Sequence, residues 1–367
     1  MASDSAGTKP RVAIVGGGNL GAELAKGLEQ DLDVTLIERA TAFTHAPAMI
    51  RSVVDPSLLE RALIPYDRLL KNGRVLTDEA VGVDGKGVSL KSGGRVEADY
   101  VVLATGSGNV APFKSASGDI DALRTANADW HAAISAAGKI VIIGAGAVGT
   151  ELAGEIASAM PGKKVTLVSS DASLFPTLPA KLGRGLFRKL EAMGVDIVFG
   201  ARASTLPEGD APTGGTVELS TGQSLEADLI VPAVGSLPHA GLADELPGAS
   251  RGPDGRIKTD AWMRPSELPN VFAAGDVADN GDLMTIVAVS RQVPWLTKTL
   301  KSLAAGKSIE LLTSYKPWGK APILLPLGPK RGNSFMVILT AGDWITSMMK
   351  GRDLFLTKYQ KTFGRSG

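Results

Sequence analysis

Two short apolar runs, residues 12–15 (VAIV) and 140–143 (IVII), each lead straight into glycine. Apolar runs of this length, without polar alternation, predict parallel strands buried on both faces. Behind each turn, residues 19–28 (NLGAELAKGL) and 147–156 (AVGTELAGEI) space their apolar side chains for one face of a helix. A second apolar run then closes each unit, at 34–37 and 165–168. Strand, turn, helix and strand within about thirty residues make a βαβ unit. Alternating stretches at 74–90 and 216–225 predict small β-meanders.

The units are copies of one another. Residues 11–28 (RVAIVGGGNLGAELAKGL) match 139–156 (KIVIIGAGAVGTELAGEI), and 92–107 (SGGRVEADYVVLATGS) match 221–236 (TGQSLEADLIVPAVGS) at almost the same offset. The predicted fold is α/β, with two Rossmann-like dinucleotide-binding domains, the second inserted in the first. The first domain is expected over 1–112 and 238–305, the second over 113–237, and a small C-terminal subdomain over 306–367.

The glycines have assignable work. In Gly16-x-Gly18-x-x-Gly21 the first permits a tight turn, the second lets a pyrophosphate approach the backbone, and the third lets helix and strand pack closely. Asn19 and Leu20 open the helix, whose free amides and dipole favour phosphate. Glu38 ends the second strand about twenty residues after Gly18, where a carboxylate accepts from ribose hydroxyls, and Arg39 follows it. The second copy, Gly144-x-Gly146-x-Val148-Gly149, has Ser169 in place of the acid, and Ser169-Ser170-Asp171 supplies no Arg for a 2′-phosphate. NADH and NADPH therefore both stay open. Glu151 follows this turn, either beside the path of a nicotinamide or as an ordinary first-turn acid; Glu23 in the first copy favours the latter. Thr105-Gly106 and Gly235 end equivalent buried runs, and 270–279 (NVFAAGDVAD) runs a short strand into Gly275-Asp276.

Composition narrows the chemistry. The 367 residues include 44 Gly, three His and no Cys. Disulfides, thiolate metal sites, iron–sulfur ligation and thiol catalysis are all excluded. Three scattered histidines do not suggest a metal site. No apolar run reaches the ~18 residues of a spanning helix. The first ten residues lack a signal core, and no Gly follows Met1, so a myristoylation pattern is absent. A cytoplasmic protein, peripheral on a membrane, is the expectation. The near-zero net charge hides an asymmetry: residues 311–367 hold nine Lys/Arg against two acids, net +7, leaving −6 on the rest. Trp318, Phe335, Trp344, Phe355 and Phe363 interleave with these charges, beside apolar stretches at 323–327 and 335–339. That mixture suits an anionic bilayer surface, or a subdomain packed with its charges outward. No nucleic-acid recognition module accompanies the charge.

In order and spacing, residues 10–305 resemble the two-dinucleotide-binding-domain flavoproteins of the pyridine nucleotide–disulfide oxidoreductase superfamily. The resemblance implies FAD on the first fingerprint, with Asp276 on its ribityl chain, and NADH and/or NADPH on the second. Without a cysteine pair the chain is similar to the thiol-free branches: apoptosis-inducing-factor-like proteins, type II NADH dehydrogenases and ferredoxin reductases. Residues 349–355 (MKGRDLF), with Lys361-Thr362-Phe363, resemble the K-x-R-D-L-F ending of the ferroptosis suppressor protein family, also called AIF-like mitochondrion-associated inducer of death. Phe43-x-His45 and Arg51 match the same pattern. That family comprises NAD(P)H:quinone oxidoreductases. The resemblance thus implies Lys350 near the isoalloxazine, Phe355 on the quinone side, Glu151 and Arg51 in the cofactor sites, and a ubiquinone- or menaquinone-like acceptor. Electron transfer to an iron–sulfur protein, as in ferredoxin reductases, and an AIF-like signalling flavoprotein are the alternatives. A homodimer is compatible with either.

Overall fold

Each copy of the βαβ pattern builds the centre of its own parallel sheet. The structure, a computed structural model, describes residues 9–108, 113–114 and 117–365; residues 1–8, read above for a leader or lipid signal, lie outside them. In chain order the first domain supplies β1 (Arg11–Val15), α1 (Asn19–Leu28), β2 (Asp33–Glu38), α2 (Ala46–Ser52), β3 (Arg74–Thr77) and β4 (Tyr100–Leu103). The second follows with α3 (Ile120–Ala136), β5 (Lys139–Ile143), α4 (Ala147–Ala159), β6 (Lys164–Val168), α5 (Ala180–Ala192), β7 (Val195–Val198), β8 (Thr213–Glu218) and β9 (Ser224–Pro232). The chain then returns with β10 (Val271–Ala273) and α6 (Ile286–Ala304), and ends in β11 (Ile323–Pro326), β12 (Gly332–Phe335), β13 (Thr340–Ala341) and α7 (Leu356–Thr362).

The first sheet is parallel throughout, in the order β10-β4-β1-β2-β3. The second runs β7-β6-β5-β9-β8, with only β8 antiparallel. Register repeats with the sequence: Ile14 lies beside Leu36 and Val102, and Ile142 beside Leu167 and Val231. These strand residues are fully buried under helices, and the alternate residues on the other face pack on β structure: Ala13 and Val15 with Val88, Leu90 and Val96, and Val141 and Ile143 with Val217 and Leu219. The expected meanders are realised differently. Residues 74–77 join the parallel sheet as its edge, and the antiparallel meander is built from 80–84, 87–90 and 95–97. Residues 213–218 pair with 224–232 as a hairpin on the second sheet rather than beside it. Residues 74–77 gain backbone partners on the open parallel edge of β2, and 224–232 is long enough to pair with β5 on one side and with its own hairpin strand on the other.

Two crossings join the domains, and they pair with each other: Ser107–Gly108 forms an antiparallel ladder with Leu237–Pro238. The C-terminal subdomain packs its three-stranded sheet, β11-β12-β13, onto α4. The approach is so close that a Cβ on Gly154 would lie 2.6 Å from Leu327 Cα. Of the apolar stretches in this tail, 323–325, Leu327 and Phe335 are buried, but Val337, Ile338 and Leu339 are not, and Ile338 is 89% exposed. The last helix, α7, returns to the first domain and stacks Tyr359 and Phe363 on Phe43, with ring centroids 5.2 and 4.9 Å apart. Among the described residues no helix is long and apolar enough to cross a membrane.

Candidate dinucleotide and electron-transfer site

Both fingerprint turns open onto one cavity of about 580 Å³, between the two domains and the C-terminal subdomain. Within each turn the outer glycines are required by the chain itself. Gly16 has φ +103°, and a Cβ there would stand 2.4 Å from Ala104 O; one on Gly21 would stand 1.8 Å from Gly16 O. Gly144 (φ +109°) and Gly149 repeat this, with clashes at 2.5 and 1.9 Å. The middle glycines differ. Among the described residues Gly18 and Gly146 have no heavy atom within 4 Å of the Cβ position, and both line the cavity. Neither helix start carries a side-chain cap, so the first amides of α1 and α4 are left for an incoming anion. Asn19 and Leu20 line the first turn and Val148 the second, and among the described residues the buried Asn19 Nδ2 has no hydrogen-bond partner of good geometry. The chain thus offers two bare, anion-ready turns, a fit for two dinucleotide pyrophosphates.

At the end of β2, Glu38 accepts from the amides of Gly17 (2.6 Å) and Ala40 (2.9 Å), which fix its carboxylate on the cavity rim with lone pairs to spare. Tyr66 braces the same turn by donating to Gly17 O at 2.8 Å; burial, and then the nearby Glu38, push its phenol well above the ordinary range. Tyr66→Phe should cost about 1 kcal/mol by denaturant unfolding, since one buried hydrogen bond is lost without a change of shape.

Arg39, Thr105, Gly106, Gly235, Gly275 and Asp276 also line the cavity. Asp276 accepts from Ser107 Oγ at 3.0 Å and has Lys114 Nζ at 3.7 Å; Lys114 donates to Ser107 O at 2.8 Å. Ser236, at the matching end of the second repeat block, donates to Ser107 Oγ at 2.8 Å. Thr105 Oγ1 donates to His239 O at 2.7 Å, and the Gly275 amide to Gln292 Oε1 at 2.8 Å. Partial burial, then the nearby Arg39 and Lys114, hold the His239 imidazolium form down. Ser107, Lys114, Ser236, His239, Tyr66 and Gln292 escaped the sequence reading. The paired serines closing the repeated ATGS and AVGS blocks were the available signal.

The deeper wall carries the charges. Glu151 sits on α4, and Lys350 on a π-helical turn, Ser347–Gly351, of the kind often found at functional sites. Lys350 Nζ donates to Glu151 Oε1 at 2.6 Å and to Leu324 O at 3.2 Å, inside the protein rather than out to solvent. One turn along α4, Glu155 takes Arg51 in a two-pronged pair, both contacts 2.8 Å. Burial is the largest influence on both carboxyls and raises them above the usual range, opposed by Lys350 and Arg51. Phe355 lines the cavity from an unusual backbone: Leu354 (φ +52°) and Phe355 (φ +65°) are consecutive left-handed residues. His45 Nε2 donates to Leu354 O at 2.6 Å; burial pushes this imidazole down to about 4, so it is neutral near pH 7.

Five residues assigned to the cofactor sites from the sequence do not reach the cavity wall. Gly21, Gly144 and Gly149 serve close packing, Ser169 accepts from the Asp171 amide at the end of β6, and Arg51 is engaged by Glu155.

The family described as pyridine nucleotide-disulphide oxidoreductase matches residues 10–293. The chain belongs to that family. It is a member without a cysteine. Apoptosis-inducing factor homolog B of Dictyostelium discoideum is 30% identical over 96% of each chain. Ferroptosis suppressor protein 1 of Homo sapiens is 26% identical over 97% of this chain and 96% of its own. In fold, the chain is similar to the sulfide:quinone oxidoreductase of Aquifex aeolicus, with TM-score 0.76 and 16% identity over 97% of this chain and 92% of that one. The protein is an NAD(P)H-dependent oxidoreductase of the flavoprotein class, with FAD and NAD(P)H as its cofactors.

Proposed function

We propose that the protein is an FAD-dependent NAD(P)H:quinone oxidoreductase. The observation that carries this reading is the convergence of two dinucleotide turns and the Lys350–Glu151 pair on one cavity, in a chain with no thiol to relay electrons. FAD, when bound, supplies the acceptor for hydride from NAD(P)H and the donor to the quinone. The protein contributes placement. Gly18 and the amides of α1 would hold the FAD pyrophosphate, Glu38 its ribose and Asp276 its ribityl chain, while Gly146 and α4 would hold the nicotinamide dinucleotide. Lys350 sets a cation on the inner wall, its position fixed by Glu151 and Leu324 O, where negative charge on an electron acceptor is stabilised. Phe355 gives the quinone side an apolar surface. The likeness of the C-terminal motif to the ferroptosis suppressor family supports the choice of acceptor.

The test is a spectral titration of the purified protein with NADH and NADPH, followed by a short-chain quinone. Rapid bleaching and quinone-dependent recovery are expected. Recovery only with an added iron–sulfur protein would favour the ferredoxin-reductase reading, for which the basic tail offers a docking face. A long-lived charge-transfer band without turnover would favour a signalling flavoprotein.

The tail also supports docking on an anionic bilayer. Val337, Ile338 and Leu339 at a hairpin tip, with Trp344 (69% exposed) and Met348, are apolar and outward, and Lys330 and Arg352 share an open depression with Trp344. Ile338→Asp should weaken co-sedimentation with anionic vesicles about tenfold, the loss of one inserted side chain. Unchanged sedimentation would remove the tip from the contact.

A further inference from the structure

Helix α4 carries two buried carboxylates one turn apart on one face, and each takes its cation from a different part of the protein. Lys350 comes from the C-terminal subdomain and pairs with Glu151; Arg51 comes from α2 of the first domain and pairs with Glu155. Arg51 is 7% and Lys350 8% exposed. Arg51 Nε donates to Glu155 Oε2 and Nη2 to Oε1, so both carboxylate oxygens are filled by one planar fork, which a lysine cannot reproduce. Lys350 attracts Glu155 as well as Glu151, and Arg51 attracts Glu151 as well as Glu155. The four groups are one coupled set, and the charged groups facing Glu155 among the described residues are Arg51, Lys350 and Glu151, with the Gly328 amide as a further donor.

We propose that Arg51 is a positioning residue for hydride transfer. By occupying Glu155 it commits Lys350 to Glu151 on the cavity wall, and it ties α4, and with it the Gly146 turn, to the first domain. A carboxylate stripped of its fork in this setting either takes up a proton or competes with Glu151 for Lys350. The inference rests on the NAD(P)H half of the reaction and not on the identity of the quinone.

The experiment uses the full-length, FAD-loaded protein in anaerobic stopped-flow reduction by NADH, between about pH 5 and pH 9. Arg51→Met is expected to keep FAD, slow reduction at least tenfold at neutral pH, and add a titration absent from the wild type. Arg51→Met/Glu155→Gln, with the surplus carboxylate gone, is expected to lose that added titration, and Arg51→Lys to fall between wild type and Arg51→Met. A readout independent of turnover is the denaturant midpoint of the flavin-free protein. A buried carboxyl with a raised pKa loses stability as pH rises through that pKa, so Arg51→Met should weaken more steeply with rising pH than the wild type, and the double variant should not. Should Arg51→Met fail to fold, Glu155→Gln alone releases the guanidinium toward Glu151 and is expected to shift the pH profile in the acid direction. Equal slowing in single and double variants with unchanged pH profiles would reduce Arg51 to packing. Loss of FAD from Arg51→Met that the double variant does not restore would assign Arg51 to the cofactor instead. Either result overturns the proposal.

Discussion

Gly146→Val is expected to give a folded, yellow protein that NADH and NADPH cannot reduce. Gly146 has ordinary extended backbone (φ −70°, ψ −170°) and open space where its side chain would be. The substitution therefore strains nothing in the chain. It fills the place where a pyrophosphate must meet the first amides of α4, and a branched side chain there holds the phosphates off those donors. Losing several charge-assisted hydrogen bonds should weaken nucleotide binding by at least ~100-fold. Gly18 has the same geometry in the first turn (φ −65°, ψ −168°), so Gly18→Val is expected to be purified folded but colourless. The pair dissects the two sites: absorbance at purification reads the first, anaerobic titration with NADH the second. Wild-type reduction of the Gly146 variant would show that the second turn does not carry the nucleotide.

The second large effect concerns Lys350. Its removal leaves Glu151 buried without its hydrogen-bonded cation, a situation that costs about 3–5 kcal/mol when the charge remains. Burial already raises the Glu151 carboxyl, and loss of Lys350 raises it further. A group whose folded pKa is raised favours folding below its unfolded value, near 4.5, and the benefit is lost as pH rises through the folded pKa. Lys350→Met should therefore be destabilised little in acid and increasingly toward neutrality. Lys350→Met/Glu151→Gln should recover stability at neutral pH, because the orphaned charge is gone. If the cation also stabilises charge on the electron acceptor, the double variant should still reoxidise slowly with quinone, by about 10²-fold, when reduced photochemically so that NAD(P)H binding is bypassed. Wild-type reoxidation in the double variant would confine Lys350 to a structural pairing.

The architecture was legible because its determinants are local. Residues 12–15 and 140–143 can only be buried strands, Gly16 and Gly144 can only turn, and the duplicated blocks declare the second copy. The charge pairing was not legible, because it depends on three distant segments meeting. Nothing near Glu151 in sequence distinguishes it from Glu23, yet in the folded protein Glu151 faces Lys350, while Glu23 accepts from Lys358 and Tyr359 near the surface. The two acids occupy equivalent places in the repeat and each accepts from a lysine of the C-terminal tail, but only Glu151 lines the cavity. Likewise, the motif around Lys350 gave no hint that its backbone winds as a π turn or that Leu354 and Phe355 are left-handed, since non-glycine residues adopt that conformation only when the surroundings impose it. The apolar stretch at 335–339 reads uniformly in the sequence but divides at Phe335, inward, and Ile338, outward, because β12 ends there.

The ladder between Ser107–Gly108 and Leu237–Pro238 has a consequence for how such a chain can be assembled. It brings the two ends of the inserted unit side by side, so that to the first sheet the whole second domain is equivalent to a short loop. The entropy of closing a loop grows only slowly with its length, which makes such a site tolerant of cargo of almost any size. The second domain is on this view a cassette: excising residues 109–236 and bridging Gly108 to Leu237 with a few flexible residues would leave the strands β4 and β10 their register, and a foreign domain with adjacent termini could be carried in the same slot.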